Sequence, residues 1–188
     1  ASLKLDGFTI KEGNATRLYY YESVIINGLN GISDNDGGGW YNLLGSPQLS
    51  NVKIRDNFAD NNGAGVYNAG GNPTLTNFTL SDNRAGEEGG GWYNSSDSPV
   101  LKNGVIQRNR ANYGGGVWVN ITGNPLIQNC LITEGSSGAG PGEFLLHKDG
   151  QPSVINCTIV NNGGGYRLIS TGQTDTYISN CIIWGPRD

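Results

Sequence analysis

The chain has 188 residues, of which 31 are glycine and 24 are asparagine, and only 15% are charged. Good helix formers are scarce and turn residues are abundant, which excludes a helical bundle. The 12 basic and 16 acidic residues give a net charge of −4, which argues against nucleic acid as a partner, and no apolar run reaches the ~18 residues of a membrane span. We expect one domain over residues 1–188.

Short β-type segments broken by Asn, Gly or Pro follow one another along the chain, beginning with Leu5–Ile10. Prolines then mark a repeat, because Pro47, Pro73, Pro99 and Pro125 are 26 residues apart and Pro152 follows after 27. Each proline opens a segment of one form: SPQLSNVKI, NPTLTNFTL, SPVLKNGVI, NPLIQNCLI and QPSVINCTI. Internal repeats of this length are typical of solenoids and related arrays.

An asparagine lies four residues after each proline, and the same position recurs where no proline precedes it. The series is Asp6, Asn27, Asn51, Asn77, Asn103, Asn129, Asn156 and Asn180. Because a rung of two or three short strands cannot bury its apolar face alone, we predict an all-β parallel β-helix of about eight stacked rungs. We expect the asparagines to form an internal turn ladder of hydrogen-bonded amides.

Strand alternation predicts two interior columns. One contains Val52, Phe78, Gly104, Cys130, Cys157 and Cys181, and the other contains Ile54, Leu80, Ile106, Ile132, Ile159 and Ile183. The cysteines lack the paired spacing of a zinc site, so we expect buried thiols, with one disulfide and one remaining thiol as the alternative. We predict no cofactor.

Glycine-rich segments form a second marker with the same period: GGGWYN (37–42), GAGVYN (63–68), GGGWYN (89–94), GGGVWVN (114–120) and a weaker GGGY (163–166). Each of the first four carries two adjacent large residues, and one of the two must face outward. If Tyr41, Tyr67, Tyr93 and Trp118 do so, they form an aromatic strip that suits sugar rings. The alternatives are stacking that only stabilises the solenoid and contact with another subunit.

Titratable residues give weaker signals. Asp34 and Asp36 before a glycine turn resemble half a calcium loop, although turns also require such residues. Asp34, Asp56 and Asp82 could form an acidic column, which continues through Arg108 and Glu134 as a charge ladder.

A lyase would need acidic residues to hold calcium and a base, roles that Asp56, Asp82 and Arg108 could imitate. The only histidine, His147, lies in an irregular insertion, where we expect a solvated loop. We predict no catalytic residues.

The combined string LSDNRAGEEGGGWYNSSDSPVLKNGVI (80–106) resembles the right-handed parallel β-helix repeats of secreted bacterial surface proteins. One similar type is the polymorphic outer-membrane-protein repeat, whose FxxN motif resembles Ile54–Asn57, Leu80–Asn83 and Ile106–Asn109, and another is the GGGxYN repeat. The resemblance implies right-handedness, secretion and a structural or adhesive role, and the broader pectin-lyase-like fold includes polysaccharide lyases and hydrolases.

We therefore expect a non-enzymatic, extracellular structural or adhesive module. Its expected partners are other copies, joined end to end into fibres, or the rest of a longer surface protein. A carbohydrate-active or glycan-binding domain is the alternative, with polysaccharide as the partner.

Overall fold

A computed structural model of the chain describes residues 3–16, 25–26, 35–114, 116–138, 145–162, 168–170 and 175–185. These residues contain 26 strands of two or three residues. The first thirteen are β1 (Lys4–Asp6), β2 (Thr9–Lys11), β3 (Asn14–Ala15), β4 (Ile25–Ile26), β5 (Trp40–Asn42), β6 (Gln48–Ser50), β7 (Lys53–Arg55), β8 (Phe58–Ala59), β9 (Val66–Asn68), β10 (Thr74–Thr76), β11 (Thr79–Ser81), β12 (Arg84–Ala85) and β13 (Trp92–Asn94). The others are β14 (Val100–Lys102), β15 (Val105–Gln107), β16 (Arg110–Ala111), β17 (Trp118–Asn120), β18 (Leu126–Gln128), β19 (Leu131–Thr133), β20 (Ser136–Ser137), β21 (Leu145–His147), β22 (Ser153–Ile155), β23 (Thr158–Val160), β24 (Leu168–Ser170), β25 (Tyr177–Ser179) and β26 (Ile182–Trp184).

The strands form four parallel sheets that run along the solenoid. Sheet A has the order β1-β6-β10-β14-β18-β22-β25, and sheet B has the order β2-β7-β11-β15-β19-β23-β26. Sheet C has the order β20-β16-β12-β8-β3, and sheet D has the order β24-β21-β17-β13-β9-β5-β4. Equivalent residues pair across successive turns, as Leu49 does with Leu75 and Leu75 with Leu101. No helix long and apolar enough to cross a membrane occurs in these ranges.

The solenoid has about five turns, so the prediction of eight rungs is wrong. Sheet C contains five strands, and five turns have a described strand in every sheet, whereas sheets A, B and D each contain seven strands. The eight-rung prediction counts Asn27, which lies outside the described residues. The preceding strand β4 pairs with β5 in sheet D and adds no strand to sheets A and B, because the chain enters sheet D twice between β3 and β6.

The core contains the two predicted columns, a third column from sheet A and a fourth column from sheet D, which consists of Trp40, Val66, Trp92 and Trp118. Residues Val52 to Cys157 of the first column and Ile54 to Ile159 of the second are buried, whereas Cys181 is half-buried and Ile183 is exposed. The third column contains Leu49, Leu75, Leu101, Ile127 and Val154. Gly104 accommodates the Phe78 ring, because a Cβ atom at Gly104 would lie only 2.2 Å from Phe78 Cε1.

The asparagine series between sheets A and B is exposed, so the prediction of an internal ladder is wrong. Asn51, Asn77, Asn103, Asn129, Asn156 and Asn180 all adopt left-handed backbone conformations, with φ between 51° and 55°. Asparagine tolerates this conformation better than other residues with side chains, which explains its recurrence at the turn. The amide of Asn129 donates to Asn103 at 3.0 Å, that of Asn156 to Asn129 at 3.2 Å and that of Asn180 to Asn156 at 2.8 Å.

Asp6 does not occupy the turn position that the later asparagines share, but lies one residue before it. In the strand register Asp6 pairs with Ser50, so Gly7 occupies the turn position equivalent to Asn51. Gly7 has the same left-handed conformation, with φ of 69°. The Asp6 carboxylate nevertheless accepts a hydrogen bond from the Asn51 amide at 2.7 Å.

Two other asparagine columns are buried and form the internal ladders. In sheet D the amides of Asn42, Asn68 and Asn94 each donate to the asparagine of the next turn, at 2.6, 2.7 and 2.7 Å, and the last acceptor is Asn120. Between sheets B and C, Asn57 donates to Asn83 and Asn83 to Asn109, each at 2.9 Å. All seven residues are at most 2% exposed. The ladders satisfy buried polar groups and fix the register of successive turns.

Candidate functional site

The outer face of sheet D carries a column of tyrosines. Tyr41 pairs with Tyr67 and Tyr67 pairs with Tyr93 across successive turns, and the next position is Val119. Trp118 does not belong to this column. It lies in the core column above Trp92 and is fully buried, so its predicted place in an outward strip is wrong.

The tyrosine rings stack face to face. The centroids of Tyr41 and Tyr67 are 4.9 Å apart with 11° between the ring planes, and those of Tyr67 and Tyr93 are 4.9 Å apart with 12° between the planes. A sugar ring binds to an exposed aromatic face, but in this stack each ring covers a face of its neighbour. The column therefore exposes little aromatic face for a sugar to bind. The geometry favours the alternative interpretation, in which the tyrosines stabilise the solenoid.

Burial and nearby acids keep the tyrosines protonated. Burial, followed by the negative charges of Glu88, Asp36 and Glu87, raises the pKa of Tyr93 to about 12. Burial raises the pKa of Tyr67 further, and the carboxylate of Asp36 adds to this effect. The phenols therefore carry no charge near neutral pH.

Asp36 belongs to a hydrogen-bonded column in the loop before sheet D. Its carboxylate accepts from the backbone N–H of Asn62 at 2.8 Å, and the Asn62 side chain accepts in turn from the N–H of Glu88 at 3.1 Å. Asp34, the other proposed calcium ligand, lies outside the described residues. Among the described residues no three His, Cys, Asp or Glu side chains form a group suited to a metal. The contacts of Asp36 indicate a role in the turn.

The charge ladder after sheet B contains the residues that could imitate a lyase centre. Arg108 donates two hydrogen bonds to Asp82, at 2.7 and 2.9 Å, and its guanidinium lies 3.8 Å from the Glu134 carboxylate. Asp56 pairs with Arg55. The hydrogen bonds lower the pKa of Asp82 and raise that of Arg108. Because Arg108 holds its proton more firmly, it is poorly suited to act as a base.

His147 occupies a regular position in the backbone and not in an irregular loop. It is the last residue of β21, and its register partner in β17 is Asn120. The backbone at His147 therefore continues the column of sheet D that contains the buried asparagines. The weaker glycine-rich marker at 163–166 lies outside the described residues.

A groove of about 550 Å³ lies against the first turns of sheet A. Its lining is Lys4, Leu5, Asp6, Gln48, Leu49, Ser50, Thr74 and Thr76. Sequence reasoning did not identify this groove, although the alternation in β1, β6 and β10 places polar side chains on one face. Its hydroxyl, amide and charged groups could form hydrogen bonds with a polar ligand.

The turn formed by β25 and β26 exposes large apolar side chains. Tyr177 is 59% exposed, Ile182 is 65% exposed and Trp184 is 70% exposed, and Ile183 is also exposed. An apolar cluster of this kind is unusual on a free surface and typical of an interaction surface. The sequence provided a signal here, since Ile182, Ile183 and Trp184 are consecutive apolar residues.

Comparisons with known proteins address the family. A family model described as right-handed β-helix region matches residues 2–183. No curated protein and no solved structure has significant similarity to the chain. The family match agrees with the four stacked parallel sheets and with a pectin-lyase-like fold. The chain belongs to the right-handed β-helix family.

Proposed function

We propose that this protein is a non-enzymatic structural or adhesive module of the extracellular surface that stacks end to end with other copies of itself. The carrying observation is the complementary arrangement of the strands at the two edges of the solenoid. At one edge, sheet D extends one strand beyond sheets A and B, because β4 lies outside β5. At the other edge, within the described residues, sheet D stops one strand short of them.

A second copy placed in register would continue sheets A, B and D. Its β1 would pair with β25, its β2 would pair with β26, and its β4 would fill the position in sheet D beyond β24. The spacing is compatible, because β1 and β25 begin five residues before β2 and β26, respectively. The unpaired backbone groups of an edge strand favour such pairing.

The side chains at the two edges are also complementary. In the continued register Leu5, Phe8 and Ile10 of the second copy would cover Ile178, Cys181 and Ile183. All six are apolar, and in the single chain Leu5, Phe8, Ile10, Ile178 and Cys181 are only partly buried. The core would therefore continue from one copy into the next, with burial of apolar surface as its driving force.

Cations and aromatic rings would meet outside this core. Lys4 would lie beside Tyr177, and Lys11 beside Trp184, because these residues occupy equivalent positions in their strands. A cation over an aromatic face contributes about 0.5–1 kcal/mol at exposed sites. Head-to-tail contacts of this type do not close, so they produce filaments.

Light scattering and electron microscopy of the 188-residue chain at increasing concentration test this proposal. We expect filaments, and we expect Trp184→Lys to abolish them because it places a lysine beside Lys11. The matched control is Tyr113→Lys, which changes another exposed aromatic residue, between β16 and β17 in the central turns, and should leave filaments intact. The double variant with both Lys11→Trp and Trp184→Lys, which exchanges the two residues, should restore the filaments. Single particles at every concentration would refute end-to-end assembly.

The proposal of an extracellular location is supported by the resemblance of the GGGWYN and SPVLKN repeats to those of secreted surface proteins. Immunogold labelling of intact producing cells with antibodies against the chain tests this part. Labelling confined to the cytoplasm would refute it.

Glycan binding at the sheet A groove is the second candidate function. The groove supports it because Gln48, Ser50, Thr74 and Thr76 line it with amide and hydroxyl groups, which can form hydrogen bonds with sugar hydroxyls. Affinity electrophoresis in gels containing neutral or acidic polysaccharides provides the test.

If this candidate function is correct, polysaccharide retards the chain and Thr76→Ala weakens the retardation. Thr79→Ala, in the neighbouring sheet B, is the matched control and should have no effect. Equal mobility with and without polysaccharide would exclude glycan binding. Formation of unsaturated uronate products would instead support lyase activity.

A further inference from the structure

Three cysteines occupy consecutive turns in one column of the solenoid. Cys130 and Cys157 are buried in the core, whereas Cys181 is partly exposed in the turn between β25 and β26. The strands on both sides are in register, since Ile155 pairs with Ser179 and Thr158 with Ile182. Cys157 and Cys181 therefore occupy equivalent positions in neighbouring turns.

The sulfur atom of Cys181 lies beside the backbone of the turn that contains Cys157. The N–H of Cys157 donates to Cys181 Sγ at 3.4 Å. Cys181 Sγ also lies 3.5 Å from the carbonyl of Val154, which belongs to the turn of Cys157. Paired parallel strands are ~4.8 Å apart, which lies within the range of Cα separations in disulfides.

We propose that Cys157 and Cys181 form a redox-active pair, which a small-molecule disulfide such as oxidised glutathione converts into an intramolecular disulfide. In the first step the Cys181 sulfur attacks the oxidant, forming a mixed disulfide and releasing one glutathione thiol. In the second step the Cys157 sulfur attacks Cys181 Sγ and releases the second glutathione thiol. Two protein thiols lose two hydrogen atoms in total, and one oxidised glutathione becomes two reduced molecules.

Exposure determines which thiol reacts first. Cys130 is 3% exposed and Cys157 is 2% exposed, so an external disulfide reaches Cys181 more easily than either of them. The hydrogen bond between Cys130 and Cys157, followed by burial, raises the pKa of Cys130. The same hydrogen bond lowers the pKa of Cys157. Cys157 lies in the turn next to Cys181, whereas Cys130 lies two turns away, so Cys157 is the second nucleophile and Cys130 remains a thiol.

The disulfide would join the turn of β25 and β26 covalently to the turn of β22 and β23. The two cysteines are 24 residues apart, so the bond closes a loop that includes β23, β24 and β25. A bond across such a loop reduces the freedom of the unfolded chain. We expect oxidation to protect this turn from fraying and to raise its resistance to proteases.

Intact-mass analysis of the folded chain with oxidised glutathione, at a concentration where light scattering detects single copies, tests the pair. The wild type should lose two hydrogen atoms, and digestion should release a peptide pair linked through Cys157 and Cys181. Cys130→Ser should give the same product. Cys157→Ser should stop at the mixed disulfide on Cys181, and Cys181→Ser should remain unmodified.

Three outcomes would overturn the proposal. The first is a wild type that retains glutathione without forming the internal bond. The second is a disulfide between Cys130 and Cys157. The third is modification of the folded Cys181→Ser variant at the same rate as the wild type. Circular dichroism of each serine variant confirms that the fold is intact, so that loss of the product reports on the thiol.

Discussion

Asn94 provides a sharp test of the buried asparagine ladder in sheet D. Its amide donates to Asn120 Oδ1 at 2.7 Å and to the carbonyl oxygens of Asp97 and Thr122 at 3.1 and 3.2 Å. Its own Oδ1 accepts from Asn68 at 2.7 Å. Asn94→Ala removes all four hydrogen bonds from a residue that is fully buried.

The expected loss of stability follows from the partners that remain. Asn68 keeps two carbonyl acceptors, at Gly71 and Ser96, so it loses little. Asn120 Oδ1 loses its amide donor inside the core, which costs about 1–3 kcal/mol, and the two partly buried carbonyls and the small cavity add to this. We expect Asn94→Ala to reduce the free energy of unfolding by about 3 kcal/mol, equivalent to a fall in Tm of about 6–12 °C.

The exposed series supplies the matched control. Asn129 also takes part in two amide–amide hydrogen bonds, but it is exposed and has a left-handed backbone. Asn129→Gly removes the side chain and keeps that conformation accessible, so we expect a change below about 1 kcal/mol. Thermal and urea unfolding monitored by circular dichroism measure both variants. If Asn94→Ala costs no more than Asn129→Gly, the buried ladder does not fix the stack as we infer.

Three further perturbations address the core, the tyrosines and the charge ladder. Gly104→Ala should cost about 1–3 kcal/mol in urea unfolding because its new methyl group overlaps the Phe78 ring, and Phe78→Leu in the same chain should recover part of that loss; additive effects would contradict the overlap. The pKa of Tyr93 is raised from 10 to about 12, so its contribution to stability is complete below pH 10 and lost as the pH rises towards 12; an absorbance titration should detect late phenolate formation, and a normal titration would refute it. Because the pKa of Asp82 is lower in the folded chain than in the unfolded chain, its carboxylate stabilises the fold above the unfolded-state pKa, and this stabilisation is lost as the pH falls through the folded-state pKa. Asp82→Asn should therefore reduce the free energy of unfolding by less than about 1 kcal/mol at pH 7 in low salt and should have no effect in strong acid. A loss of stability that does not depend on salt would argue against a role for the Arg108 ion pair.

Periodicity alone predicted the solenoid and most of its core columns. The 26-residue spacing and the alternation around Val52 and Ile54 are direct consequences of stacking identical turns, so the sequence contains them explicitly. The family match and the sheet order confirm the parallel β-helix. The number of turns was harder to predict, since Asn27 resembles the turn asparagines although β4, just before it, pairs within sheet D.

The error at Trp118 has a specific cause. Alignment of the glycine triplets places Trp118 beside Tyr93, whereas alignment of the asparagines places it above Trp92. The structure follows the asparagines, because Asn94 and Asn120 are buried and hydrogen-bonded to each other. Glycines in the loop tolerate an extra residue, but a buried amide without its partner would be costly. The polar core residue was therefore the better guide to register.

The prediction that the asparagines after the prolines form the internal ladder was wrong for a related reason. The asparagine after each proline belongs to the longest series, but its recurrence reflects a left-handed turn on the surface. The asparagines that end β5, β9, β13 and β17 carry the internal ladder. Spacing is the same for both series, so periodicity could not distinguish a backbone requirement from a side-chain requirement.

The 26-residue interval between Asn42, Asn68, Asn94 and Asn120 implies that the protein can change length in whole units. Excision of one complete interval would bring together two surfaces that already match, with each amide meeting an identical neighbour. Duplication of one interval would be equally compatible with the remaining contacts. Gain and loss of such segments would therefore yield longer or shorter rods with unchanged cross-section, whereas an insertion within a strand would displace every residue that follows it in that turn.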